Sequence, residues 1–127
     1  MVLLDTHLGL WAAFEPQRLS KRATKLPSSR EDSLAFSMAT LWEVAIKTSL
    51  GRPGFSVDSL RFHQALLAEE FIELATATPH IARLASLARV HRDPFDRLLV
   101  AQAIVERMTL LTADATLKFC GRLVGAV

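Results

Sequence analysis

Five acidic residues of this 127-residue chain stand where a carboxylate could do chemistry: Asp5, Glu43, Asp93, Asp96 and Asp114. Asp5 closes the apolar run Met1–Leu4, and Asp114 closes LLTAD, so each follows an expected strand. Glu43 and Asp96 each fall in the first turn of an expected helix. In HRDPFDRLLVAQA (His91–Ala103), Leu99, Val100 and Ala103 follow Asp96 at i+3, i+4 and i+7, so Asp96 heads the stripe that faces the core. A carboxylate there is costly unless a cation or donors answer it, and the helix dipole answers only in part. In an open α/β sheet, ligands bind beyond the carboxyl ends of strands where the strand order reverses. If the strands before Asp5 and Asp114 are neighbours, the four acids converge, with Asp93 in an outer position. Two carboxylates at ~4 Å repel by about 4 kcal/mol at an effective dielectric near 20, so such a group needs protons or cations. All-oxygen donors suit Mg²⁺ or Mn²⁺, and the chemistry that uses such ions is phosphoryl transfer and phosphodiester cleavage.

Each acid also has a local use. Asp5 can cap a helix, and Asp93 before Pro94 is a good N-cap. Glu43 fits a capping box with Thr40, or an i,i+4 pair with Lys47. Asp114 suits a turn.

The elements that must position these residues alternate along the chain. The first strand ends at Leu4, and Asp5-Thr6-His7 reads as a polar turn before a short helix over 8–14. Residues 20–26 read as a basic helix ended by Pro27. Ser33–Ser37 reads as the second strand, and Thr40 as the N-cap of a helix that stops at Gly51. Asp58 caps the next helix, through Glu70, and Phe71–Leu74 is the third strand. Pro79 opens a helix through Val90, and the Asp93–Pro94 helix runs to about Arg107. Met108–Leu111 is the fourth strand, and Arg122–Val124 is a candidate fifth. No two strands are joined by a hairpin turn. The pattern predicts one α/β domain over residues 1–127, with right-handed crossovers and helices on both faces of a parallel sheet.

Composition narrows the classes. Cys120 is the lone cysteine, which rules out an internal disulfide and a Cys-based zinc site and fits a reducing cytoplasm. No apolar run approaches the ~20 residues that span a bilayer. Asp5 breaks the first apolar stretch, so no signal peptide is expected. Hydrophobic residues make up 50% of the chain, an excess that points to protein partners or a dense core. The net charge of +2 is compatible with nucleic acid.

At VLLDTHLGLW, FSMATLWEVAIK, HRDPFDRLLVAQA and LLTAD, the chain resembles the four acidic motifs of PIN-domain ribonucleases, and most closely the VapC-like toxins of toxin–antitoxin pairs. The resemblance covers nearly the whole chain, in order. It implies a three-layer α/β PIN-like fold with a five-stranded parallel sheet in the order 3-2-1-4-5. It also implies a Mg²⁺-dependent endoribonuclease, with Mn²⁺ as substitute. Such an enzyme would act on structured RNA such as transfer RNA, as a cytoplasmic homodimer neutralised by a small antitoxin. Carried over by motif, Asp5, Glu43, Asp96 and Asp114 are the catalytic, metal-site acids, with Asp5 and Asp96 foremost as direct ligands. Thr6 and Thr112 match hydroxyl positions flanking the site. The fourth motif departs from the family's usual Thr-Arg-Asp in having Ala113 in place of Arg.

An RNA-cleaving site needs cations beside it. Lys21, Arg22 and Lys25, with Arg18 and Arg30 around them, form one candidate group. Arg92 and Arg97, with Arg89, flank the Asp96 motif, and Lys47 lies one turn after Glu43. Trp11 and Trp42 could stack on bases, but their helical spacing among apolar neighbours favours the core for both. Two other classes compete. A phosphotransfer protein using Asp5 as a covalent nucleophile would want a second Asp two residues on, where His7 stands. A non-catalytic RNA- or protein-binding module of PIN-like fold would not need the full set of acids.

Overall fold

The computed structural model describes residues 1–18, 33–87 and 93–112, together with the backbone of 124–126. Its frame is a five-stranded, wholly parallel sheet in the order β3-β2-β1-β4-β5. The strands are β1 (Val2–Leu4), β2 (Leu34–Ser37), β3 (Ile72–Leu74), β4 (Thr109–Thr112) and β5 (Val124–Ala126). The helices are α1 (Thr6–Phe14), α2 (Met38–Ser49), α3 (Ser59–Ala68), α4 (Thr78–Ser86) and α5 (Pro94–Glu106). The fifth strand lies two residues beyond the expected start at Arg122. The expected basic helix at 20–26 lies outside the described residues.

Alternation of side chains along the central strands builds two cores. Leu3, Ala35 and Leu110 point to one face, where they meet Leu98, Leu99, Val100 and Ala103 of α5. Leu4, Phe36 and Leu111 point to the other, where they meet Leu8 and Trp11 of α1 and Phe62 and Leu66 of α3. A parallel sheet buried on both faces is the reason these strands read as continuous apolar runs. Helix α2 belongs to both cores, giving Ala39 to the first and Val44 to the second. No helix among the described residues is long and apolar enough to cross a membrane.

Two helix starts differ from the sequence reading. Asp5-Thr6-His7 is not a separate turn: α1 begins at Thr6, because the Asp5 carboxylate accepts the Leu8 N–H at 2.8 Å and caps it. Helix α2 begins at Met38, not after Thr40, because the Ser37 hydroxyl accepts the Ala39 N–H at 3.0 Å. Glu43 therefore sits in the second turn of α2, and it is no member of a capping box. The α2 C-terminus is as expected, with Gly51 at φ +65° just beyond it.

Gly9 lies in the middle of α1, where α1 meets Phe62 of α3. A Cβ there would stand 3.4 Å from Phe62 Cζ and 3.8 Å from Thr40 Cγ2, which is ordinary contact. The glycine thus weakens the helix without a steric need for it. Gly9→Ala is expected to stabilise the fold by up to about 1 kcal/mol, read as a rise in the urea midpoint at unchanged slope.

Candidate active site

The strand order reverses between β1 and β4, and the site forms there. In the β1–β4 register Leu4 pairs with Leu111, so Asp5 comes to lie beside Thr112. The Asp5 N–H donates to the Leu111 carbonyl at 2.9 Å. The Thr112 hydroxyl donates to Asp5 Oδ2 at 2.5 Å, while Oδ1 accepts the Leu8 N–H. Asp5 is only 5% exposed and Thr112 is fully buried. A carboxylate so deeply set is tolerable because donors already address both its oxygens and the N-terminus of α1 faces it.

Thr6 carries the network onward. Its hydroxyl donates to Glu43 Oε1 at 2.6 Å, with Thr40 Oγ1 at 3.5 Å. Glu43 is 3% exposed, and its Oε2 accepts from the Lys47 ammonium one turn later on α2. The i,i+4 pairing of Glu43 with Lys47, one of two local readings of Glu43, is thus the one formed. Thr112 thus holds Asp5, Glu43 and Lys47 hold its chain neighbour Thr6, and the peptide bond between Asp5 and Thr6 joins the two sets of contacts.

Asp93 and Asp96 sit at the start of α5. Asp93 caps the helix, accepting from Phe95 N–H at 2.8 Å and from Asp96 N–H at 3.2 Å. Asp96 occupies the first turn, half-buried, above the fully buried Leu99 and Val100. The residue before it, Phe95, packs edge to face with Trp42, the residue before Glu43, with centroids 5.1 Å apart. That contact joins α2 and α5 at the positions next to their two acids. Asp114 lies outside the described residues, as do Lys21, Arg22, Lys25 and Arg92. Among the described residues, no three His, Cys, Asp or Glu side chains are grouped to hold a metal ion. The donor set itself, buried anionic oxygen at the end of β1 and more at the start of α5, has the chemistry of a hard-cation site.

Two of the expected cations are engaged within the chain. Lys47 is paired with Glu43, and Arg97 donates from Nη2 to the Leu84 carbonyl at 3.4 Å, near the C-terminus of α4. Arg18 lies over the Trp11 ring at 4.4 Å. Trp11 is buried as expected, but Trp42 is 58% exposed. Spacing told only that Trp42 shares a helix with apolar residues. Because α2 lies at the junction of the two cores, one side of it remains uncovered.

A second polar network was not apparent from the sequence. The Ser37 hydroxyl that caps α2 also donates to Gln102 Oε1 at 2.6 Å, in the interior. The Gln102 amide reaches the Ala75 carbonyl and His80 Nδ1, both at 3.4 Å. Buried His80 accepts the Ala77 N–H at 2.9 Å and faces Glu106 at 2.9 Å through its other nitrogen. The available signal was a glutamine, Gln102, inside the α5 stripe between Ala101 and Ala103. Through Ser37 and Gln102 the helices bearing Glu43 and Asp96 are fixed to each other. Ser37→Ala removes a cap and strands a buried amide oxygen, so it should cost about 1–3 kcal/mol, measured by urea unfolding, whereas Ser37→Thr should recover most of it.

A parallel 3-2-1-4-5 sheet with the buried Asp5 carboxylate where β1 meets β4 is the frame of a PIN-type domain. The PIN domain model matches residues 2–120, and the chain belongs to that family. Over 119 residues it is 33% identical to Ribonuclease VapC22 of Mycobacterium tuberculosis, spanning 92% of this chain and 89% of that one, which makes it a PIN-domain protein of the VapC kind. The fold is also that of VapBC2 from Rickettsia felis bound to a DNA fragment from its promoter. There the TM-score is 0.70 at 17% identity, over 99% of this chain and 98% of that chain. VapBC-1 from nontypeable Haemophilus influenzae matches at a TM-score of 0.65 and 19% identity, over 100% of this chain and 97% of that chain.

Proposed function

We propose that this chain is a divalent-metal-dependent endoribonuclease, the toxin of a toxin–antitoxin pair. The observation that carries the reading is the buried Asp5 carboxylate, held by the Thr112 hydroxyl at the strand-order reversal. Support comes from the VapC22 relative, whose name is that of a ribonuclease, and from solved neighbours that are VapBC or toxin–antitoxin complexes.

Asp5 and Asp96, joined by Asp114, would hold Mg²⁺ or Mn²⁺. When bound, such an ion supplies Lewis-acid polarisation of a phosphodiester and helps activate water for in-line attack. The chain's own contribution is positional. Thr112 and the α1 N-terminus fix the Asp5 carboxylate, and the Asp93 cap fixes the first turn of α5 and so Asp96. The partly buried surroundings strengthen every charge interaction made there. Substrate is expected to be structured RNA, transfer RNA included.

Purified protein is expected to cleave RNA with Mg²⁺ or Mn²⁺ and to stop in EDTA. Asp96→Ala should lower the rate by at least ~100-fold while the thermal midpoint stays within a few degrees. Undiminished cleavage by a clean Asp96→Ala preparation would sink the assignment.

The antitoxin and a second copy of the chain are the proposed protein partners. Met38 and Trp42, one turn apart on α2 and both exposed, offer a face for the homodimer. Trp42→Glu is expected to shift sedimentation from dimer to monomer.

A further inference from the structure

We infer that Glu43 and Lys47 work as a charge-neutral positioning pair that holds Thr6, and that Glu43 is not a metal ligand. The inference rests on the metal-nuclease reading above and narrows it. The motif resemblance counts Glu43 among four metal-site acids, with Asp5 and Asp96 foremost as direct ligands. Both oxygens of Asp5 are also engaged, but by neutral donors, and it is the ammonium on Glu43 that sets it apart.

Both oxygens of the Glu43 carboxylate are engaged by partners within the chain. Oε1 takes the Thr6 hydroxyl at 2.6 Å, and Oε2 takes the Lys47 ammonium. Glu43 is 3% exposed, so water screens this pair little. Lys47 keeps some exposure, and its stem lies along α2 from the same helix face. The pair therefore brings no net charge to the site. A divalent cation sharing Oε2 would have to sit against an ammonium, which repels it with twice the force felt by a monovalent ion.

What Glu43 does touch is Thr6, the first residue of α1, directly after Asp5. Thr6 is a short side chain whose hydroxyl has one hydrogen to give, and Glu43 takes it. That bond ties the first turn of α1 to α2. Asp5 caps the same turn, so the carboxylate that would bind metal is braced from two sides, by Thr112 across the sheet and by Glu43 through Thr6. Lys47 holds Glu43 pointed inward, which is a positioning role and not a phosphate contact.

Mn²⁺ titration of the full chain without RNA, followed by calorimetry, tests this. Wild type should bind, and Asp96→Asn should bind at least ~10-fold more weakly; these two arms report on the metal-nuclease reading alone. Glu43→Gln leaves the Lys47 charge uncompensated and should weaken binding roughly five- to thirtyfold by repulsion. Adding Lys47→Met to it restores the charge balance and should return affinity to within about threefold of wild type. A Glu43 that was a direct ligand would leave the double variant as weak as Glu43→Gln, and that result overturns the inference with the metal site intact. A wild type that binds no Mn²⁺ overturns both. Thermal melts accompany each protein. If the Met variant melts below the assay temperature, Glu43→Gln/Lys47→Gln makes the same comparison with polar side chains.

Discussion

The fold of this chain hangs on one nearly buried carboxylate at the end of a three-residue strand. Asp5 closes β1, starts α1 and accepts a hydroxyl hydrogen from β4, all with a single side chain. Each role constrains the others. The cap requires an extended backbone at Asp5, which continues the strand direction. The Thr112 bond requires β4 to lie beside β1 in this register, since a slip by one residue would turn Thr112 to the opposite face. The adjacency of β1 and β4 in turn creates the crevice in which a family of acids can gather. Local capping, sheet register and site geometry are one set of contacts seen at three scales.

Much of this was legible in the sequence because it is local. Asp5, Asp58 and Asp93 each stand before a helix, and each caps it. The alternation of short apolar runs with helical stretches gave the parallel sheet, and the motif resemblance gave its order. What was not legible depends on partners remote in sequence. Thr40 reads as the cap of α2 by sequence, but Ser37 takes that role, with Gln102, 65 residues away, as a second partner for its hydroxyl. Trp42 and Trp11 look alike by spacing, yet only one is covered, because burial depends on which neighbour lies against a helix and not on period alone. The Glu43–Lys47 pair was legible from its i,i+4 spacing, but the bond from Thr6 to Glu43 needed the packing of α1 on α2 to become visible.

The two cores hold the elements that carry Asp5, Glu43 and Asp96. The α1 and α3 layer packs on one face of the sheet, and α5 with its neighbours packs on the other. Asp5 ends β1 and Asp96 opens α5, so each is held by an element packed on the sheet and not by a free loop. Helix α2, which contributes to both layers, sets the position of Glu43 relative to each.

The Ser37–Gln102–His80 chain has a direction. Ser37 must donate to Gln102, since its oxygen already accepts the Ala39 N–H and the Gln102 Oε1 atom has no hydrogen to offer. The amide orientation of Gln102 follows, with its nitrogen turned toward Ala75 and His80. His80 Nδ1 receives the Ala77 N–H, so it is the bare nitrogen, and Nε2 carries the hydrogen that points at Glu106. The donation that starts at Ser37 thus agrees with the tautomer that the Ala77 N–H imposes on His80, and the interior has one sense of donation that runs outward to Glu106 at the surface.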